Sequence, residues 1–313
     1  MRAAVMDGGE RPVYGDFAEP QATAGARVVE VRAAALSGLD RNIARRLHYL
    51  KMPDGPFVVG REGVARERDG RRIYFNVNAP LGPFGSMAER TLIDPKFSFP
   101  VPEGVADDVA AALGNAGLAA WLSLSWRARL KPGETVLILG ATGISGLIAV
   151  TAAKQLGARR VVAAGRNRAA LARATRLGAD ATVDLATAGD LVAAYLDAAG
   201  GPIDVVVDMV FGAPGEAALE VLALNGRFLH IGSMAGQSIT LRGGPIRRTC
   251  ADVLGFAYYH APVDLQAQAY GELCRLAAAG EIEIDVETHP LSEIGTAWDA
   301  RAAGNRRRQV LIP

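Results

Sequence analysis

The chain has 313 residues and a formal charge of +1, with 50% hydrophobic and 21% charged residues; at about 150 residues per domain this suggests two domains with a sizeable interior and excludes a disordered or collagen-like chain. The charge balance argues against a nucleic-acid binder, since Arg306, Arg307 and Arg308 form only a local cluster. Cys250 and Cys274 are too few for a four-thiolate zinc lobe or a disulfide framework, and with no apolar leader in MRAAVMDGGE and no run of about 18 apolar residues, a cytoplasmic protein without a membrane partner is expected.

Short β-rich pieces open the chain: Arg2 to Val5, Arg27 to Ala34, Arg72 to Phe75 and Ala88 to Ile93, separated by turn formers such as Pro53, Gly55, Pro80, Gly82 and Pro83. The texture changes between residues 105 and 135. Strand-like runs at Thr135 to Leu139, Arg160 to Ala164, Ala181 to Asp184, Ile203 to Asp208 and Arg227 to Ile231 then alternate with Ala-rich segments of helical length at Ile144 to Leu156, Arg168 to Leu177, Leu191 to Ala198 and Glu216 to Leu224. Gly157, Gly178 and Gly226 stand where helix C-caps are expected. Such βαβα order implies a parallel sheet covered on both faces. A sixth strand near Asp252 to Phe256, a helix Val263 to Ala279, a strand Glu281 to Glu287, a helix Leu291 to Ala302 and a last strand Gln309 to Ile312 complete the reading.

The most informative motif is TVLILGATGISGLIAVTAAKQLGA, a buried strand running into a glycine-interrupted turn and a helix. Gly140, Gly143 and Gly146 follow at intervals of three, and Ala141-x-Gly143-x-x-Gly146 matches the dinucleotide fingerprint except for Ala at its first position. Small residues let backbone approach a pyrophosphate, whose charge sits on the amides opening the helix, which makes Gly140, Ala141, Thr142, Gly143, Ile144 and Ser145 candidate cofactor contacts. Tight turns and close packing also select glycine. About 20 residues on, where an acid would bind the adenosine ribose, stand Gly165, Arg166, Asn167 and Arg168. Guanidinium groups there suit a 2′-phosphate and favour NADPH over NADH, the alternative being that they only solvate the next helix.

Beyond these, VRAAALSGLDRNIA, RLHYL, PFVVGREGVARERDGRRIYF, FGSMAERTLI, ALGNAGLAAWLSL, LKPGETVLILGATGISG, AAGRN, GRFLHIGS and RQVLIP together make nearly the whole chain resemble the zinc-free branch of the medium-chain dehydrogenase/reductases, the quinone oxidoreductase-like proteins. The resemblance implies an α/β fold: a doubly wound Rossmann domain over residues 113–260, and an irregular, mostly-β, GroES-like catalytic domain over 1–112 completed by 261–313. Zinc-dependent relatives carry a Cys and a Gly-His-Glu; here those positions are Ser37 and Gly60-Arg61-Glu62, so no metal is expected.

The implied chemistry is hydride transfer from NADPH to a quinone or an α,β-unsaturated carbonyl, with an enoyl-thioester reductase or a low-turnover NADPH-binding sensor as alternatives. A hydrogen-bond donor at the developing oxyanion would serve it. Tyr49 and Asn42 are the catalytic candidates, Asn42 standing where several relatives have Tyr, and Ser37, His48 and Tyr258 are candidate substrate contacts. Val210, Phe211, Gly232 and Ser233 would wall the cofactor, Asn115 would approach the nicotinamide amide, and Arg308 the pyrophosphate. A homodimer acting on a small molecule is the family expectation.

Overall fold

The computed structural model describes residues 1–46, 54–77, 82–303, 305 and 307–313. In chain order the strands and helices are β1 (Arg2–Met6), β2 (Val13–Asp16), β3 (Arg27–Leu36), α1 (Gly38–Ala44), β4 (Phe57–Val58), β5 (Glu62–Arg66), β6 (Arg72–Asn76), β7 (Arg90–Ile93), β8 (Ser98–Pro100) and α2 (Asp107–Leu122). There follow β9 (Thr135–Leu139), α3 (Ile144–Gln155), β10 (Arg160–Gly165), α4 (Arg168–Arg176), β11 (Ala181–Asp184), α5 (Leu191–Ala199), β12 (Ile203–Asp208), α6 (Gly212–Glu220), β13 (Leu222–His230), α7 (Gly243–Thr249) and β14 (Asp252–Gly255). The chain closes with α8 (Val263–Ala278), β15 (Val286–Pro290), α9 (Ile294–Ala302) and β16 (Arg308–Ile312).

These elements form two compact units, Met1–Asn115 with Ala267–Pro313, and Ala116–Gln266. The second is built on a six-stranded sheet in the order β11-β10-β9-β12-β13-β14, every neighbouring pair parallel. The order reverses beside β9, so the first strand of the unit lies between the second and the fourth, the arrangement that opens a crevice at the strands' carboxyl ends. Leu137, Val162, Tyr195, Val206 and Phe228 lie in its core. This is the doubly wound sheet that the alternating strand and helix texture implies.

The first unit is mostly β. It holds a three-stranded antiparallel sheet, β2-β1-β4, and a larger sheet, β15-β16-β3-β5-β6-β8, with β7 also on β3. Close packing here requires glycine, for example at Gly63, where a Cβ would stand 2.5 Å from Ala33 O, and at Gly114, where one would stand 2.1 Å from the Tyr74 ring and 2.4 Å from Glu62 Oε2. Among the described residues one helical stretch, Asp107–Arg127, is long and apolar enough to cross a membrane, and 67% of its apolar window is buried in the protein itself.

Three local readings change. The helix expected at Glu216 to Leu224 is α6, which begins at Gly212 and ends at Glu220, because Leu222 already pairs with Ile203 in the sheet. Gly226 consequently lies inside β13 and caps no helix, and Asn225 takes the left-handed conformation there, at φ +59°. The alternation in Glu281 to Glu287 suggested a strand, but pairing with β16 places the strand at Val286–Pro290; tertiary register outweighs local propensity. Trp298 on α9 is 2% exposed within the first unit's core, with the Arg41 guanidinium 5.7 Å from its ring centroid. Trp298→Ala is expected to cost about 3–5 kcal/mol, read as a lowered midpoint in urea unfolding.

Candidate functional site

β9 is buried along its whole length. Gly140 then turns the chain at φ +86°, and a Cβ there would lie 3.0 Å from Val210 Cγ1. The amides of Gly140 and Ala141 each donate to Ala164 O at 3.0 Å, and Gly143 N donates to Gly140 O at 3.1 Å. α3 follows with Gly143 as N-cap, a residue that makes no side-chain cap bond. Side chains of Ser37, Asn167 and Asp190 do make such a bond for α1, α4 and α5. The first turn of α3 therefore presents amides without a side-chain cap at the positive end of a helix dipole, which suits an anionic diphosphate. Gly146 permits the arrangement: a Cβ would stand 2.3 Å from Gly140 O and 2.6 Å from Ala141 Cα, so a larger residue would force the helix off the strand.

At the end of β10, a Cβ on Gly165 would stand 2.3 Å from Thr142 Cγ2, which shows how closely the second strand approaches the glycine turn. Arg166 is exposed and has no hydrogen bond or ion pair among the described residues. Asn167 is committed to capping, accepting from Ala170 N at 2.8 Å, and Arg168 pairs with Asp184 at 2.9 Å. Arg166 is thus the guanidinium available to a phosphate beside Gly165.

The facing wall comes from the ends of β12 and β13. Val210 N and Phe211 N donate to Asp208 Oδ1 at 2.9 and 2.8 Å, Ala235 N donates to Val210 O at 2.6 Å, and Gly232 N donates to Asp208 O at 3.3 Å. Ser233 Oγ lies 3.4 Å from His230 Nε2. Burial raises the Asp208 carboxyl above its ordinary value, opposed by its two amide donors and by His230. Gly140 to Ser145, Gly165 to Asn167, Val210, Phe211, Gly232 and Ser233 all stand at the carboxyl ends of neighbouring parallel strands, or in the helices that open there.

The first unit holds a different constellation. Glu62, 1% exposed, accepts from Tyr74 Oη at 2.9 Å, from Asn115 N at 2.6 Å and from the Arg308 guanidinium. Burial pushes its carboxyl up to about 6 and Asp40 adds to the effect, against Arg308, Asn115 and Tyr74. Asp40 is equally buried. It closes a capping box at the start of α1, accepting from Ser37 N and Ser37 Oγ at 2.6 Å each, and burial raises its carboxyl too. Neither carboxylate stands out in the sequence as the centre of this cluster, because Arg308 lies 246 positions from Glu62; the charged pair Arg61-Glu62 inside the otherwise apolar run VVGREGVA is a local sign.

The remaining candidate residues are placed as follows. Arg308, expected at the pyrophosphate, is 5% exposed and its guanidinium is paired with Glu62 inside its own unit. The Ser37 hydroxyl is engaged by Asp40 rather than offered to a substrate. Tyr258 is 5% exposed, in a short 3₁₀ turn with its ring 5.6 Å from that of Tyr259, so it presents little surface to a substrate. Asn42 is exposed on α1, and Asn115 is half-buried, held through its amide. His48 and Tyr49 lie outside the described residues. Among the described residues, no three His, Cys, Asp or Glu side chains gather where they would hold a metal ion.

A family model described as zinc-binding dehydrogenase matches residues 145–277. Over its whole length the chain is similar to the quinone oxidoreductase of Thermus thermophilus, solved alone and with NADPH, at 30% identity, covering 100% of each chain, with a TM-score of 0.80. The chain belongs to the medium-chain dehydrogenase/reductase superfamily. A mycobacterial quinone oxidoreductase matches in fold at TM-score 0.87 and 21% identity, again over 100% of each chain. A mycocerosic acid synthase-like polyketide synthase of Mycobacterium tuberculosis is 31% identical over 256 residues, 80% of this chain and 12% of that protein. Within that superfamily the chain is an oxidoreductase of the quinone-oxidoreductase type.

The raised Glu62 sets a sign for pH dependence. With its folded value near 6 and an ordinary value of 4.5, the folded chain retains this proton where the unfolded chain has released it, so stability falls as pH rises from 4.5 to 6. Urea unfolding across this range is expected to show that decline in the wild type and a flatter profile in Glu62→Gln.

Proposed function

We propose that the protein is an NADPH-dependent reductase that delivers hydride to a quinone or to the electron-poor double bond of an α,β-unsaturated carbonyl compound. The observation that carries this reading is the pairing of a helix N-terminus lacking a side-chain cap, at Gly143 to Ser145, with an exposed and unengaged Arg166 beside Gly165. The first suits a diphosphate and the second the additional 2′-phosphate. Bound NADPH supplies the hydride.

The protein's own residues bind and orient. Amides of the α3 first turn take the diphosphate charge, Arg166 the 2′-phosphate, and Val210, Phe211, Gly232 and Ser233 the flank of the nucleotide, with Asn115 directed to the nicotinamide amide. Tyr49 donates a hydrogen bond to the substrate oxygen as negative charge develops there, and Asn42 assists in holding that oxygen. The enzyme acts in the cytoplasm as a homodimer.

A second reading, reduction of an enoyl thioester, is favoured by the 31% identity to the polyketide synthase over 80% of this chain. Steady-state rates with a quinone, a short enone and a crotonyl thioester separate the two by which substrate has the largest kcat/KM. NADPH binding without turnover of any of the three would instead indicate a sensor. Tyr49→Phe is expected to lower kcat by about 10- to 100-fold on the preferred substrate, the scale of a lost transition-state hydrogen bond. Arg166→Ala is expected to weaken NADPH by about tenfold or more and leave NADH nearly unchanged, as loss of one charge-assisted contact predicts; equal weakening of both in fluorescence titrations would overturn the 2′-phosphate assignment.

A further inference from the structure

Phe211 adopts φ +58° and ψ −161°, a backbone conformation essentially confined to glycine because the Cβ of an L residue is crowded there. A glycine would adopt it freely, yet an aromatic residue is held in this geometry at the carboxyl end of β12, beside the glycine turn that Val210 touches. Four contacts fix it. Asp208 Oδ1 accepts from both Val210 N and Phe211 N, Ala235 N binds Val210 O, and the Phe211 ring packs on the His230 imidazole with centroids 4.1 Å apart and planes inclined at 36°.

Asp208 and His230 are direct partners across β12 and β13. Asp208 is fully buried; among the described residues its second oxygen, Oδ2, has no hydrogen-bond partner, and neither has His230 Nδ1. Oδ2 points toward Gly215, where a Cβ would stand only 2.8 Å away. A buried carboxylate with one oxygen unsatisfied destabilises the fold. Its retention, together with the glycine-like backbone of an aromatic neighbour, indicates that geometry at this turn outweighs stability, a pattern that belongs to ligand sites.

We propose that Asp208 and His230 are positioning residues that hold Phe211 in this conformation, so that its half-buried ring forms a fixed wall of the nucleotide site. The inference rests on the reading of the second unit as the NADPH-binding unit. The strained backbone presents the ring ready-placed, so the cofactor need not order it on binding.

Fluorescence titration with NADPH and thermal unfolding of the full chain test this together. Phe211→Gly removes ring and strain at once, and is expected to weaken NADPH by about tenfold while leaving Tm unchanged or raised. A residue serving stability alone would move both in the same direction. Asp208→Ala and His230→Ala are each expected to weaken NADPH by about three- to tenfold, whereas Asp208→Asn, whose amide oxygen can accept the same two N–H groups, returns affinity to within about threefold of wild type. Affinities of Phe211→Gly and Asp208→Ala within about twofold of a wild type that binds NADPH would overturn the inference alone; should Asp208→Ala fail to fold, Phe211→Gly decides. A fall in Tm of Phe211→Gly in step with its affinity would also overturn it. A wild type that binds no NADPH would remove the cofactor reading and this inference with it.

Discussion

The second unit is organised around one close approach, that of α3 to β9. Where Gly146 passes Gly140 O and Ala141 Cα there is no room for a side chain, and this lets the helix begin immediately beyond the strand. Its first-turn amides thereby arrive at the point where the sheet order reverses. The same contact bounds what surrounds it: Gly165 must be small because Thr142 fills its space, and Gly140 because Val210 does. Three loops from three strands are thus brought within van der Waals distance by missing side chains, and the chemistry of the crevice comes from backbone groups as much as from functional ones.

Much of this was legible in the bare sequence. β9 and β12 begin and end where the sequence places them, because a strand buried on both faces shows as a nearly continuous hydrophobic stretch. Gly140, Gly143 and Gly146 marked the turn for the same reason: steric demands are local and leave a local trace. Pairing across the sheet is harder to read. Leu222 joins β13 early because Ile203 lies beside it, and nothing in EAALEVLAL distinguishes that ending from a longer helix.

The polar interior of the first unit was least visible. Arg308 reads as one of three consecutive arginines near the chain's end, and Ser37 as a polar residue after an apolar strand; their partners, Glu62 and Asp40, are known only once the strands are assembled. The sequence shows a local basic cluster at 306–308, of which β16 carries Arg308 into the interior. Single-sequence reasoning assigns arginine to solvent by default, and that default fails where a buried carboxylate waits on another strand.

The Glu62–Arg308 pair also bears on how the polypeptide is made. The Rossmann unit is one uninterrupted stretch, Ala116–Gln266, but the β-rich unit combines Met1–Asn115 with Ala267–Pro313. During synthesis from the N-terminus, Glu62 emerges long before its guanidinium counterpart. The nascent β-rich half therefore lacks both the strand that completes its sheet and the cation that offsets its buried acid until Arg308, 246 residues after Glu62, has been added, while the intervening unit has its entire sequence available earlier.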